Sequence, residues 1–438
     1  MGPSTADPAL AALAKSGNAA AQYALSSQLH ERGQFEASLH WLRLAAAQKL
    51  AAAQVTLAML LMDGRHCTRD LQQAIQLLEP LAASHVEANL LLSELYGFAA
   101  LGTGERATAL RHVLIAARMG DAGSLRQLAL LGVCQQRWDL VRPLLDAAAR
   151  GGDAAAGYAL ACCYAQGFGG APQPARAARI AHGVAVRSLY LGQRLAETLG
   201  AQPAASVTEP AEPAVDWPLL ERALPQLAAD IPLPGEEILH GAPLIRRLPG
   251  AIHPLLLDAL INLAAPLVQR SQIVDARTGV ARADPMRTSS HVTLGPRQHD
   301  HVLEALERCT GRICGLSTLN GEFLQILRYR QGEEFRLHVD YFNESGAGAY
   351  QSLADGGQRA QTVLLYLNDG YGGGSTCFPK LQLEIKGRRG DVLHFHNVGA
   401  DGTGHRDTLH AGLPVREGEK WLLSQWLRSE PYPPRLAW

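Results

Sequence analysis

A short small-and-apolar pattern returns at near-regular intervals through the first two hundred residues of this 438-residue chain. It reads Ala20-Ala21-Gln22-Tyr23-Ala24-Leu25, then Ala52-Ala53-Gln54-Val55-Thr56-Leu57, Glu87-Ala88-Asn89-Leu90-Leu91-Leu92 and Ala155-Ala156-Gly157-Tyr158-Ala159-Leu160. Aligning Ala21, Ala53, Ala88, Ser124 and Ala156 gives steps of 32, 35, 36 and 32 residues. Each unit offers a second helix, such as Glu36 to Gln48 with Ala37, Trp41, Leu44 and Ala45 on one face, or Leu71 to Ala83. Turns are expected at Gly33, at Asp63-Gly64 and at Gly167 to Gly170. Small residues at fixed positions let paired helices approach, and each pair buries its apolar face on the next. The abundance of Ala favours helix as well. The spacing predicts an α-solenoid of about five helix pairs over residues 1–200; an irregular Ala-rich bundle is the alternative.

Length adds a second constraint. A single core rarely grows past roughly 250–300 residues, so this chain should hold two or three domains. Residues 201–217 have a linker's composition, with Gln202-Pro203-Ala204-Ala205 and Glu209-Pro210-Ala211-Glu212-Pro213. Such a segment should leave the halves on either side some freedom. The formal charge of −1 gives no pull toward nucleic acid or membrane. No basic region followed by an apolar core opens the chain, and no run is long enough to span a membrane. Seven cysteines are scattered without a C-x-x-C, which fits a reducing cytoplasm better than a disulfide framework.

Residues 218–432 change character. Leu256, Leu257, Leu260, Ile261 and Leu263 place an amphipathic helix over Pro254 to Val268. Ser271 to Leu294 reads as strand, loop and strand, with Arg287-Thr288-Ser289 ahead of the second strand. Another helix should run from Val302 to Arg312, and His299 and His301 read as polar helix-start residues at the surface rather than metal ligands. Beyond it come Phe323 to Tyr329, Phe335 to Asp340, Gln361 to Leu367, Val392 to His396 and Trp421 to Leu427, split by Gly-rich turns. That succession suits a double-sheet jelly roll with flanking helices. Gly346 to Gly357 is expected as a loop near a substrate entrance. The fold class is therefore multidomain α + β.

Within this half lie His338-Val339-Asp340, then His410, then Lys420. Strand side chains alternate, so His338 and Asp340 at i and i+2 share a face. Two imidazoles and one carboxylate suit Fe(II) and leave positions open for other ligands. An ammonium at Lys420, on an adjacent strand, would hold a distal carboxylate as a point charge. Alone, H-x-D is a weak signal, and the ordered set carries the reading. His394 and His396 also share a strand face, and His405 lies in a polar loop, so His396 and His405 remain alternatives to His410.

These residues resemble the prolyl 4-hydroxylase branch of the 2-oxoglutarate and Fe(II)-dependent dioxygenases. The resemblance rests on Leu324-Gln325-Ile326-Leu327-Arg328-Tyr329, Gly332-Glu333-Glu334-Phe335 and His338-Val339-Asp340-Tyr341-Phe342. It continues through Thr362-Val363-Leu364-Leu365-Tyr366-Leu367-Asn368-Asp369, Gly372-Gly373-Gly374-Ser375-Thr376 and Gly390-Asp391-Val392-Leu393-His394-Phe395. It ends with His410-Ala411-Gly412-Leu413-Pro414-Val415 and Gly418-Glu419-Lys420-Trp421. The helical units look like a tetratricopeptide-type array of the Sel-like subclass. By this resemblance His338, Asp340 and His410 bind iron, with no catalytic residue beyond these ligands. Lys420 holds the distal carboxylate of 2-oxoglutarate, with Tyr329 and Thr362 hydrogen-bonding nearby, and Trp426 lines the substrate cleft. The H-A-G-x-P-V context favours His410 over His396 and His405. Phe335 stands where many relatives have Tyr, and Arg428 where relatives often carry His; both should lie close to the substrate.

The resemblance implies Fe(II), 2-oxoglutarate and O2, with L-ascorbate as reductant, and hydroxylation of an unactivated C–H. A prolyl residue of a peptide or protein is the leading substrate, with the helical array recruiting it. A free amino acid or other small metabolite is the alternative. A third reading, a helical-repeat scaffold that binds protein partners beside an inactive barrel, sits poorly with an intact H-x-D, H and K set.

Overall fold

The computed structural model describes residues 7–97, 105–200, 213–274, 281–283, 286–342 and 353–433. The chain divides into two compact units, Met1–Ser124 and Leu125–Trp438. The division falls inside the helical array, not at the Pro/Ala-rich segment, whose residues 201–212 lie outside the described ones.

In the first unit Ala19–Glu31 packs on Phe35–Ala47, Ala51–Asp63 on Leu71–Leu78, and Val86–Gly97 on Arg106–Arg118. The repeated small residue is the third of its helix every time, at Ala21, Ala53, Ala88, Ser124 and Ala156, and every one is buried. The repeat marks helix starts too. Asn18, Asp121 and Asp153 each accept the N–H of the repeated residue three positions on, at 2.7–2.8 Å, and so cap their helices. The buried face of Phe35–Ala47 is Ser38, Leu42, Ala45 and Ala46, turned away from the expected Ala37 and Leu44. Ser38 is tolerated inside because its hydroxyl donates to the Ser26 carbonyl at 2.8 Å. The helix expected over Leu71 to Ala83 stops at Leu78 and tightens into one 3-10 turn at Glu79–Leu81, where Pro80 has no N–H to continue the ladder.

The second unit joins the last array helices to the sheets. Trp138 and Phe168 stack with ring centres 5.6 Å apart, and both meet His253, at 5.1 and 4.6 Å. His253 caps the helix Pro254–Ala264. One turn into that helix, buried Asp258 receives Arg194 from Leu189–Leu199 at 3.4 Å and Arg389 at 2.8 Å. The array helices from Trp138 onward thus belong to the same unit as the sheets.

In chain order the strands are β1 Glu237–Gly241, β2 Leu244–Leu248, β3 Gln269–Arg270, β4 Gln272–Val274, β5 Ala281–Ala283, β6 Ser290–Thr293, β7 Gln325–Tyr329 and β8 Phe335–His338. They continue with β9 Arg359–Tyr366, β10 Gly372–Gly373, β11 Thr376–Phe378, β12 Leu383–Ile385, β13 Val392–His396, β14 His410–Gly412, β15 Val415–Glu417 and β16 Lys420–Arg428. One sheet runs β1-β2-β13-β9-β16-β7-β6-β3 and a second β12-β11-β14-β8, each joined by antiparallel pairs. The core between them takes Tyr329, Leu364, Tyr366, Phe395 and Leu422 from the large sheet and Phe378 and Ile385 from the small one. This is the double-sheet jelly roll, and β7, β8, β9, β13 and β16 lie within two residues of the limits read from the sequence. The loop read at Gly346 to Gly357 lies mostly outside the described residues.

His299 and His301 depart from the surface reading. Both are buried, His299 bonds Glu307 at 3.0 Å through Nε2, and Asp300 between them caps the helix His301–Cys314. No helix among the described residues is long and apolar enough to cross a membrane.

Candidate metal centre

Register brings the three ligand candidates together. His338 closes β8 and pairs directly with His410, which opens β14. Asp340 lies two residues past the end of β8, in a bend, so strand alternation alone does not aim it. Its aim comes from β9, where the Thr362 hydroxyl donates to Asp340 Oδ2 at 2.7 Å. Asp340 Oδ1 lies 3.4 Å from His338 Nε2, and Oδ2 lies 3.7 Å from His410 Nε2. Among the described residues these three form the one cluster of potential metal ligands, with ligand atoms all within 4.8 Å of one another.

The tautomers are set for ligation. His338 Nδ1 donates to the Arg336 carbonyl at 2.7 Å and His410 Nδ1 to the Thr408 carbonyl at 2.9 Å. In each ring the proton therefore sits on Nδ1, and the Nε2 lone pair faces Asp340. Burial pushes His410 down to about 4, against the pull of the Asp340 carboxylate, so its imidazole is neutral near pH 7. Burial opposes ionisation of Asp340, yet His410, His338 and the Thr362 hydroxyl hold its carboxyl well below the usual range. Two imidazole nitrogens and one carboxylate on a single side form the facial set that suits a non-haem Fe(II) ion, and these residues fit it.

A second anchor lies in the same cleft. β16 alternates so that Lys420, Leu422, Ser424 and Trp426 all face inward, and each lines the cleft that holds His338, Asp340 and His410. Lys420 pairs with Tyr329 across β7, is 2 % exposed, and donates to the Gly374 carbonyl at 2.6 Å. Gly374 has φ +68, a conformation that favours glycine, and a Cβ there would press on the Tyr371 ring at 3.0 Å. Lys420 meets no carboxylate among the described residues, and burial pulls it down to about 7. A buried ammonium supported by one neutral carbonyl is a site that lacks its anion. A dicarboxylate that reaches the metal at one end and Lys420 at the other would supply it.

Other sequence candidates fall as follows. Tyr329 lines the cleft under Lys420, with the ammonium 5.5 Å from its ring centre. Thr362, expected beside the co-substrate, donates its hydroxyl to Asp340. Phe335 stacks on His338, ring centres 3.5 Å apart. Trp426 forms part of the cleft wall, and its buried indole N–H has no partner among the described residues. The Arg359 guanidinium covers the Trp426 ring at 3.8 Å and is held by Glu322 at 2.7 and 2.8 Å. Arg428 turns out of the cleft to the same Glu322, at 2.6 Å, and to the Gly357 carbonyl at 2.8 Å. It thus shares with Arg359 the carboxylate that braces the Trp426 ring. His394 is locked between Arg246 at 3.0 Å and Gln361 at 2.6 Å, and His396 and His405 stay outside the ligand cluster. Sequence reading missed Glu322, Arg359, Asn397 and the cleft residue Arg287; only Arg287, inside the noted Arg-Thr-Ser run, carried a local signal.

Comparison with known proteins agrees with this geometry. The model of the 2OG-Fe(II) oxygenase superfamily matches residues 324–428. Prolyl 4-hydroxylase 5 of Arabidopsis thaliana is 34% identical over 188 residues, 39% of this chain and 62% of that protein. Prolyl 4-hydroxylase 1 of the same plant is 31% identical over 208 residues, 44% of this chain and 72% of that protein. The chain thus spans just under two thirds of the first of these relatives. Among solved structures, a Sel1 repeat protein from Oxalobacter formigenes is similar at 19% identity and a TM-score of 0.35, covering 48% of this chain and 87% of that one.

Proposed function

This chain belongs to the prolyl 4-hydroxylase family, and we propose that it is an Fe(II)- and 2-oxoglutarate-dependent dioxygenase that hydroxylates a prolyl residue of a peptide or protein. The observation that carries the reading is one cleft holding both the His338, Asp340 and His410 cluster and a buried Lys420 without a counter-ion. His338, Asp340 and His410 hold the iron. Lys420 takes the far carboxylate of 2-oxoglutarate, over the ring of Tyr329. When both are bound they supply the oxidation: one atom of O2 becomes the product hydroxyl, the other goes to the co-substrate, and succinate and CO2 leave. The chain's own task is to hold and orient. Leu327, Leu364 and Leu422 line the cleft with apolar surface and limit water. Phe335 and Trp426 form walls for the substrate, and Trp426 has an N–H to offer a substrate carbonyl.

L-ascorbate is the reductant we assign, and the cytoplasm is the compartment, in keeping with seven free cysteines. The helical array is assigned to binding a protein partner. The test incubates the full chain with Fe(II), 2-oxoglutarate, O2 and either a proline-rich peptide or free amino acids, and weighs the products. Gain of one oxygen atom at proline in the peptide is expected. Gain on a free amino acid alone moves the substrate to the small-metabolite class, and succinate formation that no ligand substitution alters overturns the site.

A further inference from the structure

We propose that Asn397 and Thr362 are positioning residues that fix which oxygen of Asp340 is offered to the metal, and so keep its carboxylate monodentate. The proposal rests on the metal-centre reading above. Three separate elements meet here: the bend after β8 carries Asp340, β9 carries Thr362, and the residue just past β13 is Asn397. Thr362 and Asn397 are both 0 % exposed, so no solvent competes for their hydrogen bonds. Asn397 Nδ2 lies 2.8 Å from Thr362 Oγ1, and Thr362 Oγ1 lies 2.7 Å from Asp340 Oδ2.

The direction of this relay follows from the donors and acceptors available. A metal-binding carboxylate is ionised and can only accept, so the single hydroxyl proton of Thr362 must point to Asp340. The Thr362 oxygen is then left only as an acceptor, and Asn397 must present its NH2 and not its carbonyl. The main chain anchors Asn397 beside Thr362: its backbone N–H donates to the Ala360 carbonyl at 2.8 Å, and its backbone carbonyl accepts the His405 N–H at 2.9 Å. With Oδ2 engaged by Thr362, Oδ1, the oxygen nearer His338, is the one left for the ion. A one-oxygen ligand preserves an open coordination position that a two-oxygen grip would fill. Partners that orient metal ligands in this way typically change metal affinity about 10–100-fold when removed.

The experiment titrates the metal-free full chain with Co(II) alone and then adds 2-oxoglutarate, reading visible absorption, for wild type, Thr362→Val, Thr362→Ser, Asn397→Asp and His338→Ala. Thr362→Val keeps the shape and loses the donor. It should weaken Co(II) about 10–100-fold and alter the absorption of the bound ion. Thr362→Ser should restore wild-type behaviour. Asn397→Asp, which can no longer donate to Thr362 and competes for its proton, should resemble Thr362→Val. Thermal unfolding of the metal-free variants shows whether each is folded, and Asn397→Asp substitutes for Thr362→Val should the latter fail to fold. Wild-type affinity and spectrum in both Thr362→Val and Asn397→Asp overturn the relay while leaving the centre intact. So does a Thr362→Ser variant as weak as Thr362→Val. Failure of wild type itself to bind Co(II) in a His338-dependent way overturns the centre, and the relay with it.

Discussion

Replacing Lys420 with Met should have two effects of opposite sign. Without ligand, Lys420 is a buried ammonium whose one hydrogen bond among the described residues is to a neutral carbonyl. Burial brings its titration down from 10.5 to about 7. At ~1.4 kcal/mol per tenfold change, that fall corresponds to about 5 kcal/mol held against the folded state when the side chain is charged. The penalty is complete below about pH 7, shrinks as pH rises through the folded value, and is gone above the unfolded value of 10.5. Lys420→Met removes it but leaves the Gly374 carbonyl without its donor, worth about 1 kcal/mol. The metal-free variant should therefore be the more stable protein at pH 7, by a few kcal/mol, with Tm raised by several degrees. The advantage should fade toward pH 10.

Binding goes the other way. A charge-assisted pair inside a buried site contributes about 1.5–3 kcal/mol, so the KM for 2-oxoglutarate should rise roughly 10- to 150-fold. In wild type the same titration predicts that KM for 2-oxoglutarate increases as pH passes upward through about 7, because binding must first protonate Lys420. Calorimetry above that pH should register proton uptake with the co-substrate, and Lys420→Met should abolish it. Thermal melts across pH and succinate release at varied 2-oxoglutarate measure both effects. A variant with unchanged KM, or one less stable than wild type at pH 7, refutes the assignment of Lys420 as an uncompensated cation awaiting an anion.

Three further outcomes follow from the contacts. His338→Ala should abolish succinate formation and Co(II) binding while the metal-free melt stays near wild type, since the ring is at the mouth of the small sheet and not in the core. Glu322→Ala should destabilise by about 3–5 kcal/mol, because it strands Arg428 and Arg359, and should raise the substrate KM more than the 2-oxoglutarate KM as the Trp426 wall loosens; urea denaturation and steady-state kinetics check it. Asp258→Ala should also destabilise by about 3 kcal/mol, leaving Arg194 and Arg389 unpaired there, and should make Leu189–Leu199 sensitive to limited proteolysis; resistance equal to wild type would count against this joint.

What the sequence made legible was whatever a local pattern encodes. The repeat fixed the helix starts because one small residue must sit at the third helical position, just after a cap, for two helices to meet. The strands could be bounded because alternation and Gly-rich turns act within a few residues. His338, Asp340 and Lys420 were found through motif order. What stayed hidden depends on partners far apart in the chain. Thr362 opens the apolar end of its strand, and nothing near it says that its acceptor lies 22 residues earlier. Glu322 gave no hint that two arginines 37 and 106 residues later converge on it. His299 looked like a surface residue because a buried imidazole is identified only by the acceptor that satisfies it, here Glu307 on the next turns of the same region.

The same reasoning accounts for the domain boundary. Composition marks a Pro/Ala-rich segment, yet composition cannot say whether the elements on its two sides touch. Trp138, Phe168 and Arg194 are ordinary array residues until His253 and Asp258 are placed against them. Once they are, an aromatic cluster and a buried ion-pair network join helices on one side of the segment to the helix Pro254–Ala264 on the other. Arg389, in the turn between β12 and β13, reaches that same helix through Asp258 and the Pro254 carbonyl. Strand β13 in turn pairs with β9, which carries Thr362. The last array helices therefore bear on the sheet that aims the metal ligand, and substitutions at Asp258 should be read as perturbations of the oxygenase body, not of a tethered binding arm.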